Sequence, residues 1–255
     1  MMCTGNAPMD NSVDEGPACR VRDARSTIAG EHDEPMTYRS YDVLLLDFGG
    51  VCLLNPVELH HVTENRLGLP PGTLTWLGPL DPSTDPAWRA MIAGNGLTER
   101  DYWTNRAAEL GHLAGVELSL TAYMRLMFDP PRSELIRPGA AAVAGRARAA
   151  GLGVSVLSND LRAFHGPEWE RGVEFLQDID HIIDCSETNV FKPDPRAYER
   201  AIETVSAPPE RVLFVDDQPL NVEGARNAGL DGTWFDIANA EQAWRDVAVT
   251  LGLEP

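Results

Sequence analysis

The chain has a single lysine, Lys192, among 255 residues. Arginine therefore supplies nearly all of its positive charge. Acids outnumber bases by 39 to 21, for a formal net charge of −18. An excess of that size repels a phosphate backbone and an anionic bilayer, so neither nucleic acid nor a membrane is an expected partner. A local basic pocket for a small anion remains open. Long apolar runs are missing too, and no stretch approaches the length of a membrane span. No apolar signal-peptide core precedes residue 40, which points to a cytoplasmic protein. Cysteine is scarce: Cys3, Cys19, Cys52 and Cys185 show neither metal-ligand nor redox-motif spacing. They read as free thiols in a reducing compartment. Residues 1–39 lack apolar periodicity and are rich in Asp, Glu, Gly, Pro, Ser and Asn. They read as a disordered extension.

What is present is organised around Val43-Leu44-Leu45-Leu46-Asp47-Phe48-Gly49-Gly50-Val51. A short unbroken apolar run reads as a strand buried on both faces, the situation of a parallel sheet. It runs into an acid, although an isolated buried carboxylate is costly. Open α/β sheets place ligands just beyond the C-terminal ends of their strands. Residues 57–135 then read as helices without strand-like alternation: 57–67, 86–93, 98–110 and 121–128. Thr98 is the expected cap of the third, with Asp101 in the carboxylate position of a capping box. An all-helical insert straight after a first strand is most simply a lid or cap. Regular alternation follows. Strands are expected at 154–157, 181–184, 211–215 and 232–235. Helices are expected at 138–150, 194–205, 220–228 and 240–251, and through about 177 with a break at Gly166-Pro167. This pattern implies right-handed crossovers and a parallel sheet with helices on both faces.

Parallel strands bring their C-terminal ends to one edge. Asp47, Ser158, Lys192 and the pair Asp216-Asp217 converge there. Each has a plain structural reading: a turn cap, a helix cap, a solvated lysine, an acidic pair at a helix N-terminus. Together they are the groups that phosphoryl transfer to a carboxylate needs. A carboxylate nucleophile splits one difficult displacement into two easier ones. The transferring group is densely anionic and calls for a cation and fixed donors. Asp47 with Asp217, and Asp216 through water, would supply the oxygen ligands that Mg²⁺ prefers. Lys192 would neutralise charge between nucleophile and phosphate. The Ser158 hydroxyl and nearby backbone N–H groups, around Asn159 and Gly50, would hold phosphate oxygens.

These motifs resemble the haloacid dehalogenase-like hydrolase superfamily over about residues 42–240. They are Asp47-Phe48-Gly49-Gly50-Val51, Leu157-Ser158-Asn159, Lys192-Pro193-Asp194-Pro195 and Phe214-Val215-Asp216-Asp217, followed by Asn221-Val222-Glu223-Gly224-Ala225. Within it the chain is most similar to the group that includes bacterial glucose-1-phosphatase and the N-terminal phosphatase domain of soluble epoxide hydrolase. The resemblance implies an α/β fold, a Rossmann-like parallel sheet with an inserted α-helical cap. The core would comprise 40–56 and 136–255, and the cap 57–135. It implies a Mg²⁺-dependent hydrolase that removes phosphate from a small phosphorylated metabolite through an aspartyl-phosphate, with the Gly49 carbonyl among the metal ligands. Caps of this type can carry dimer contacts, so a homodimer is an assembly the resemblance allows.

One position departs from the pattern. Phosphatases of the superfamily usually carry a second aspartate two residues after the nucleophile, as general acid and base; here it is Gly49. Losing a general acid costs on the order of 10²–10⁴ in rate. Either the substrate has a good leaving group or the acid comes from elsewhere, with His60, His61 and His165 as candidate donors. Dehalogenases in the superfamily also lack that aspartate and attack carbon without metal, but their fourth motif does not keep an acid pair like Asp216-Asp217. Phosphonate-cleaving relatives use a cap lysine, and 57–135 has none. A non-catalytic module binding a phosphorylated ligand or a protein is the third reading. Trp76, Trp88, Arg89, Tyr102, Trp103, Arg106, Tyr123 and Arg125 are the residues of the helical insert that could face the site. At helical spacing they could equally be its core or its solvated face.

Overall fold

The computed structural model describes residues 41–253. The extension 1–39, with Cys3 and Cys19, lies outside the described residues. Five strands form one sheet: β1 (Val43–Leu46), β2 (Gly153–Ser158), β3 (His181–Asp184), β4 (Val212–Asp216) and β5 (Asp231–Trp234). Their order is β3-β2-β1-β4-β5, and every pairing is parallel. β1 lies at the centre, with Leu44 opposite Val154 on one side and Leu213 on the other. Alternation along β1 divides its side chains between two cores. Leu44 and Leu46 join one cluster, while Val43 and Leu45 join the other with Tyr198 and Phe214. This is why the run is apolar throughout: a central strand of a covered parallel sheet has no wet face.

Four helices separate β1 from the rest of the sheet: α1 (His60–Leu67), α2 (Pro86–Ile92), α3 (Glu99–Ala114) and α4 (Leu120–Phe128). The expected capping box is present on α3. Asp101 N–H donates to Thr98 Oγ1 at 3.1 Å, and Thr98 N–H donates to Asp101 Oδ2 at 3.0 Å. The helix outruns its expected end at Leu110. Gly111 does not stop it but lets another segment approach, since a Cβ there would lie 2.7 Å from the Val116 carbonyl oxygen. The helix ends instead at Gly115, whose φ of 68° only glycine adopts readily. This segment has its own aromatic centre, in which the rings of Trp88, Tyr102 and Trp103 meet one another. That centre is continuous with the core on one face of the sheet, the face bearing Leu46 and Val215.

Beyond it come α5 (Pro138–Ala149), α6 (Leu161–His165), α7 (Pro167–Gly172), α8 (Glu174–Gln177), α9 (Pro195–Val205), α10 (Pro219–Asn227) and α11 (Ala240–Thr250). The break expected at Gly166-Pro167 separates α6 from α7, and a second break at Val173 separates α7 from α8. The expected strands are found with their bounds shifted by one residue or not at all. Cys52 and Cys185 are buried free thiols. Among the described residues, no helix is long and apolar enough to cross a membrane.

Candidate active site

β1 delivers Asp47 to the C-terminal edge of the sheet, where its N–H donates to Val215 O at 2.8 Å. The turn that follows is held from below. Arg137 donates through Nε to Gly50 O at 2.8 Å and grips the Glu58 carboxylate through both terminal nitrogens. Gly50 has a φ of 80°, and a Cβ on it would lie 2.9 Å from Asp217 Oδ2. Glycine is required there both by the backbone and by the close approach of an acid. Its N–H, expected to face phosphate, instead donates to Leu53 O at 2.9 Å. Gly50 thus closes the turn with its own N–H.

Lys192 crosses from the loop before α9 and is buried. Its Nζ lies 2.6 Å from Asp47 Oδ1 and 2.7 Å from Asp216 Oδ2. Its loop is fixed by Asn159, whose Oδ1 accepts from Lys192 N–H at 2.8 Å and whose Nδ2 donates to Lys192 O at 3.2 Å. The Asn159 side chain is thus spent on placing the lysine. Asp216 is fully buried and well supplied with donors: Gln218 N–H at 2.8 Å, and Asn221 Nδ2 at 3.1 Å from each oxygen. Asp217 is half-buried beside it. One carboxylate oxygen each from Asp47, Asp216 and Asp217 lie within 4.8 Å of one another.

Three acids stand against one lysine, and the electrostatics reflect it. Burial pushes the Asp47 carboxyl up to about 7; the Asp216 charge adds to this and Lys192 opposes it. Burial, with Asp216 and Asp47 nearby, also raises Asp217 well above the usual carboxylate range. For Lys192 burial acts downward, but the Asp216 and Asp47 carboxylates overcome it and hold the ammonium well above the usual lysine range.

Two cavities meet here. A chamber of about 50 Å³ is lined by Asp47, Gly49, Ser158 and Lys192, among others. An outer cleft of about 370 Å³ opens beyond it, with apolar walls from Met91, Ile92, Phe191 and Leu220. The helical segment contributes to both, though not through the residues expected. Trp76, Trp88, Tyr102, Trp103 and Tyr123 are buried in that segment's own core, while Arg89 and Arg125 point to solvent. Arg106 is paired with Asp85 and lies over the Trp76 ring. Besides Met91 and Ile92, the start of α3 lines the outer cleft with Glu99 and Arg100, and Glu99 also lines the chamber. Arg100 forms an ion pair with Asp160. The Thr98-Glu99-Arg100-Asp101 stretch reads in sequence as a helix start, and the box absorbs Thr98 and Asp101. Glu99 is the acid left over, and that surplus is the signal that could have found it.

The histidines do not supply a proton donor. His60 packs edge-on against Trp76, and burial lowers it to about 4. His61 is exposed and lines neither cavity. His165 does line the chamber, but it stacks on Trp169 and burial lowers it to about 3. Burial thus disfavours the imidazolium form that would serve as the acid.

The model of the haloacid dehalogenase-like hydrolase family matches residues 41–229. The chain belongs to that family. Similarity reaches both kinds of chemistry within it. A phosphoserine phosphatase of Thermus thermophilus is 31% identical over 63% of this chain and 56% of its own length. (S)-2-haloacid dehalogenase H-109 of Pseudomonas putida is 33% identical over 47% of this chain and 49% of its own. The chain thus spans about half the length of these curated relatives. Among solved structures, the HAD-hydrolase YfnB of Bacillus subtilis, bound to magnesium, superposes with a TM-score of 0.59. It is 18% identical and covers 77% of this chain and 87% of its own, a likeness of fold. The Rossmann-like α/β core is therefore that of a hydrolase family with more than one reaction.

Proposed function

We propose that this chain is a Mg²⁺-dependent phosphatase acting on a small phosphorylated metabolite, with Asp47 as nucleophile. The observation that carries the reading is the cluster of Asp47, Asp216 and Asp217 around a single buried lysine. Three carboxylates within 4.8 Å are a hard-oxygen donor set of the kind Mg²⁺ prefers. Burial first, and neighbouring acids after it, push Asp47 and Asp217 up, and a divalent cation at the cluster would favour their charged forms. Asp47, Asp217 and the Gly49 carbonyl would hold the ion, and Asp216 would act through water. Mg²⁺ would offset charge on the phosphoryl oxygens and keep the nucleophile ionised.

The chain's own groups do the rest. An Asp47 carboxylate oxygen attacks phosphorus, and the bond to the departing oxygen breaks. Lys192 holds Asp47 in line and neutralises charge as the two approach. The Ser158 hydroxyl, buried on the chamber wall, donates to a phosphoryl oxygen. Water then attacks the phosphorus of the aspartyl-phosphate, releasing phosphate and restoring Asp47. The helices of 57–135 act as a cap that closes the chamber and selects the substrate.

The test is phosphate release from a panel of phosphorylated metabolites, with Mg²⁺, with EDTA, and with Asp47→Asn. Metal-dependent release that disappears in the variant is the expected result. Gly49 and the similarity to the Pseudomonas putida enzyme favour a second reading, attack of Asp47 on a carbon–halogen bond. Halide release from a 2-haloacid without added metal, and no phosphate from the panel, would establish that reading instead.

A further inference from the structure

The position two residues after Asp47 carries no acid, yet it has room for one. A Cβ on Gly49 would have no heavy atom within 4 Å. The chamber is not short of a carboxyl group, however, because Glu99 of the helical segment also lines it. Glu99 is the first residue of α3 and takes no part in the box that caps it. Its side chain is instead held from two sides: Trp103 Nε1 donates to Oε1 at 3.1 Å, and Gln218 Nε2 donates to Oε2 at 2.7 Å. Trp103 belongs to the aromatic centre of the helical segment and Gln218 to the turn carrying Asp216-Asp217, so the segment and the sheet edge both hold the carboxyl.

Glu99 lines the inner chamber together with Asp47 and the outer cleft together with Phe191 and Leu220. It stands where the two spaces join. A phosphoryl group on Asp47 occupies the chamber, and the rest of the substrate extends into the cleft. The bond that breaks then lies at the junction.

We infer that Glu99 gives its proton to the departing oxygen there and takes one back from the attacking water, the work that Gly49 leaves undone. The inference rests on the phosphatase reading. In the first step the P–O bond breaks, its electron pair goes to the departing oxygen, and the Glu99 proton makes that oxygen a hydroxyl. In the second step water attacks phosphorus, its proton passes to the Glu99 carboxylate, and the P–O bond to Asp47 breaks. Acid and nucleophile are thereby restored. Burial raises the Glu99 carboxyl, and the charges of Asp160 and Asp216 add to this against the hydrogen bonds from Trp103 and Gln218. The environment thus favours a carboxyl that can carry a proton.

The experiment compares first-turnover release of the leaving group from an alkyl phosphate and from p-nitrophenyl phosphate, in the wild type and in Glu99→Gln. An acid matters most when the leaving group is poor. Alkyl release should fall on the order of 10²–10⁴-fold, and nitrophenol release by less than about tenfold. Nitrophenol should then appear as a burst, because the water-attack step has lost its base. Adding Gly49→Asp to Glu99→Gln should return part of the alkyl activity, a rescue that a purely structural role for Glu99 does not predict. Should Glu99→Gln fail to fold, Glu99→Asp carries the same comparison with the carboxyl withdrawn by one methylene. An equal loss on both substrates overturns the inference and leaves the phosphatase reading standing. No phosphate release from any substrate by the wild type overturns both.

Discussion

Two buried aspartates sit in two regions of this molecule, each beside a basic side chain, and their surroundings treat them in opposite ways. Asp85, in the helical segment, is fully buried and accepts from Trp88 N–H at 3.0 Å, Tyr102 OH at 2.6 Å and Arg106 Nη2 at 2.7 Å. Burial pushes its carboxyl up, but those three donors more than offset it, and it stays below the usual range. Asp47, on the sheet edge, is pushed up to about 7 by burial first, which the hydrogen bond and charge of Lys192 do not offset and to which the Asp216 charge adds. Asp85, whose donors outweigh its burial, is a structural part of the helical segment. A carboxylate left short of donors beside like charges is held ready for something that arrives later. The contrast separates function from architecture where burial and ion pairing alone do not.

The largest effect should fall on the under-supplied side. Asp47→Asn should lower turnover on the order of 10⁶-fold while leaving the fold intact, as a far-ultraviolet spectrum and a melting curve would show. Removing the two basic partners should then separate the regions. Lys192→Met should cost on the order of 10²–10³ in turnover. Arg106→Met should cost about 3 kcal/mol of stability, because Asp85 is left charged and buried, and should leave turnover little changed. Denaturant melts beside steady-state rates would read both. If Arg106→Met abolishes turnover while stability holds, the division between the regions is broken. Mg²⁺ should favour the folded state by about 2.7 kcal/mol at a hundredfold excess over its dissociation constant. Thermal shift measurements should show this gain in the wild type and lose it in Asp217→Asn.

The smallest effect expected is one of pH. Burial holds His165 at about 3, against 6.5 for an ordinary histidine. Between those values the unfolded chain binds a proton that the folded chain refuses, so stability present at pH 7 is lost as pH falls. The loss should reach about 2 kcal/mol by pH 5. Substitution by Phe, which keeps the ring on Trp169, should flatten that dependence in chemical denaturation.

How much of this was legible beforehand differs between the same two regions. The sheet edge could be read because each group follows a strand: Asp47, Ser158 and Asp216 end apolar runs, and strand geometry alone brings them together. The helical segment could not be read for function. Its aromatics and arginines recur at helical spacing whether they face a core or a substrate, and only the structure places Trp88 and Tyr102 in the core. Glu99 lay hidden because a helix start explains a cluster of polar residues well enough. The Asn159 side chain holds the Lys192 loop and the Gly50 N–H meets the Leu53 carbonyl, pairings that the motifs alone do not show. Sequence shows which groups are near a site, and the pairing of donors with acceptors decides which of them remain free.

The most direct test of the account is to trap the covalent step. The wild type would be mixed with Mg²⁺ and p-nitrophenyl phosphate, quenched in acid during turnover, digested, and its peptides weighed. The account predicts a phosphoryl group on the peptide containing Asp47, absent from Asp47→Asn. Phosphate released with no such adduct, by a variant lacking the Asp47 carboxylate as readily as by the wild type, would contradict it.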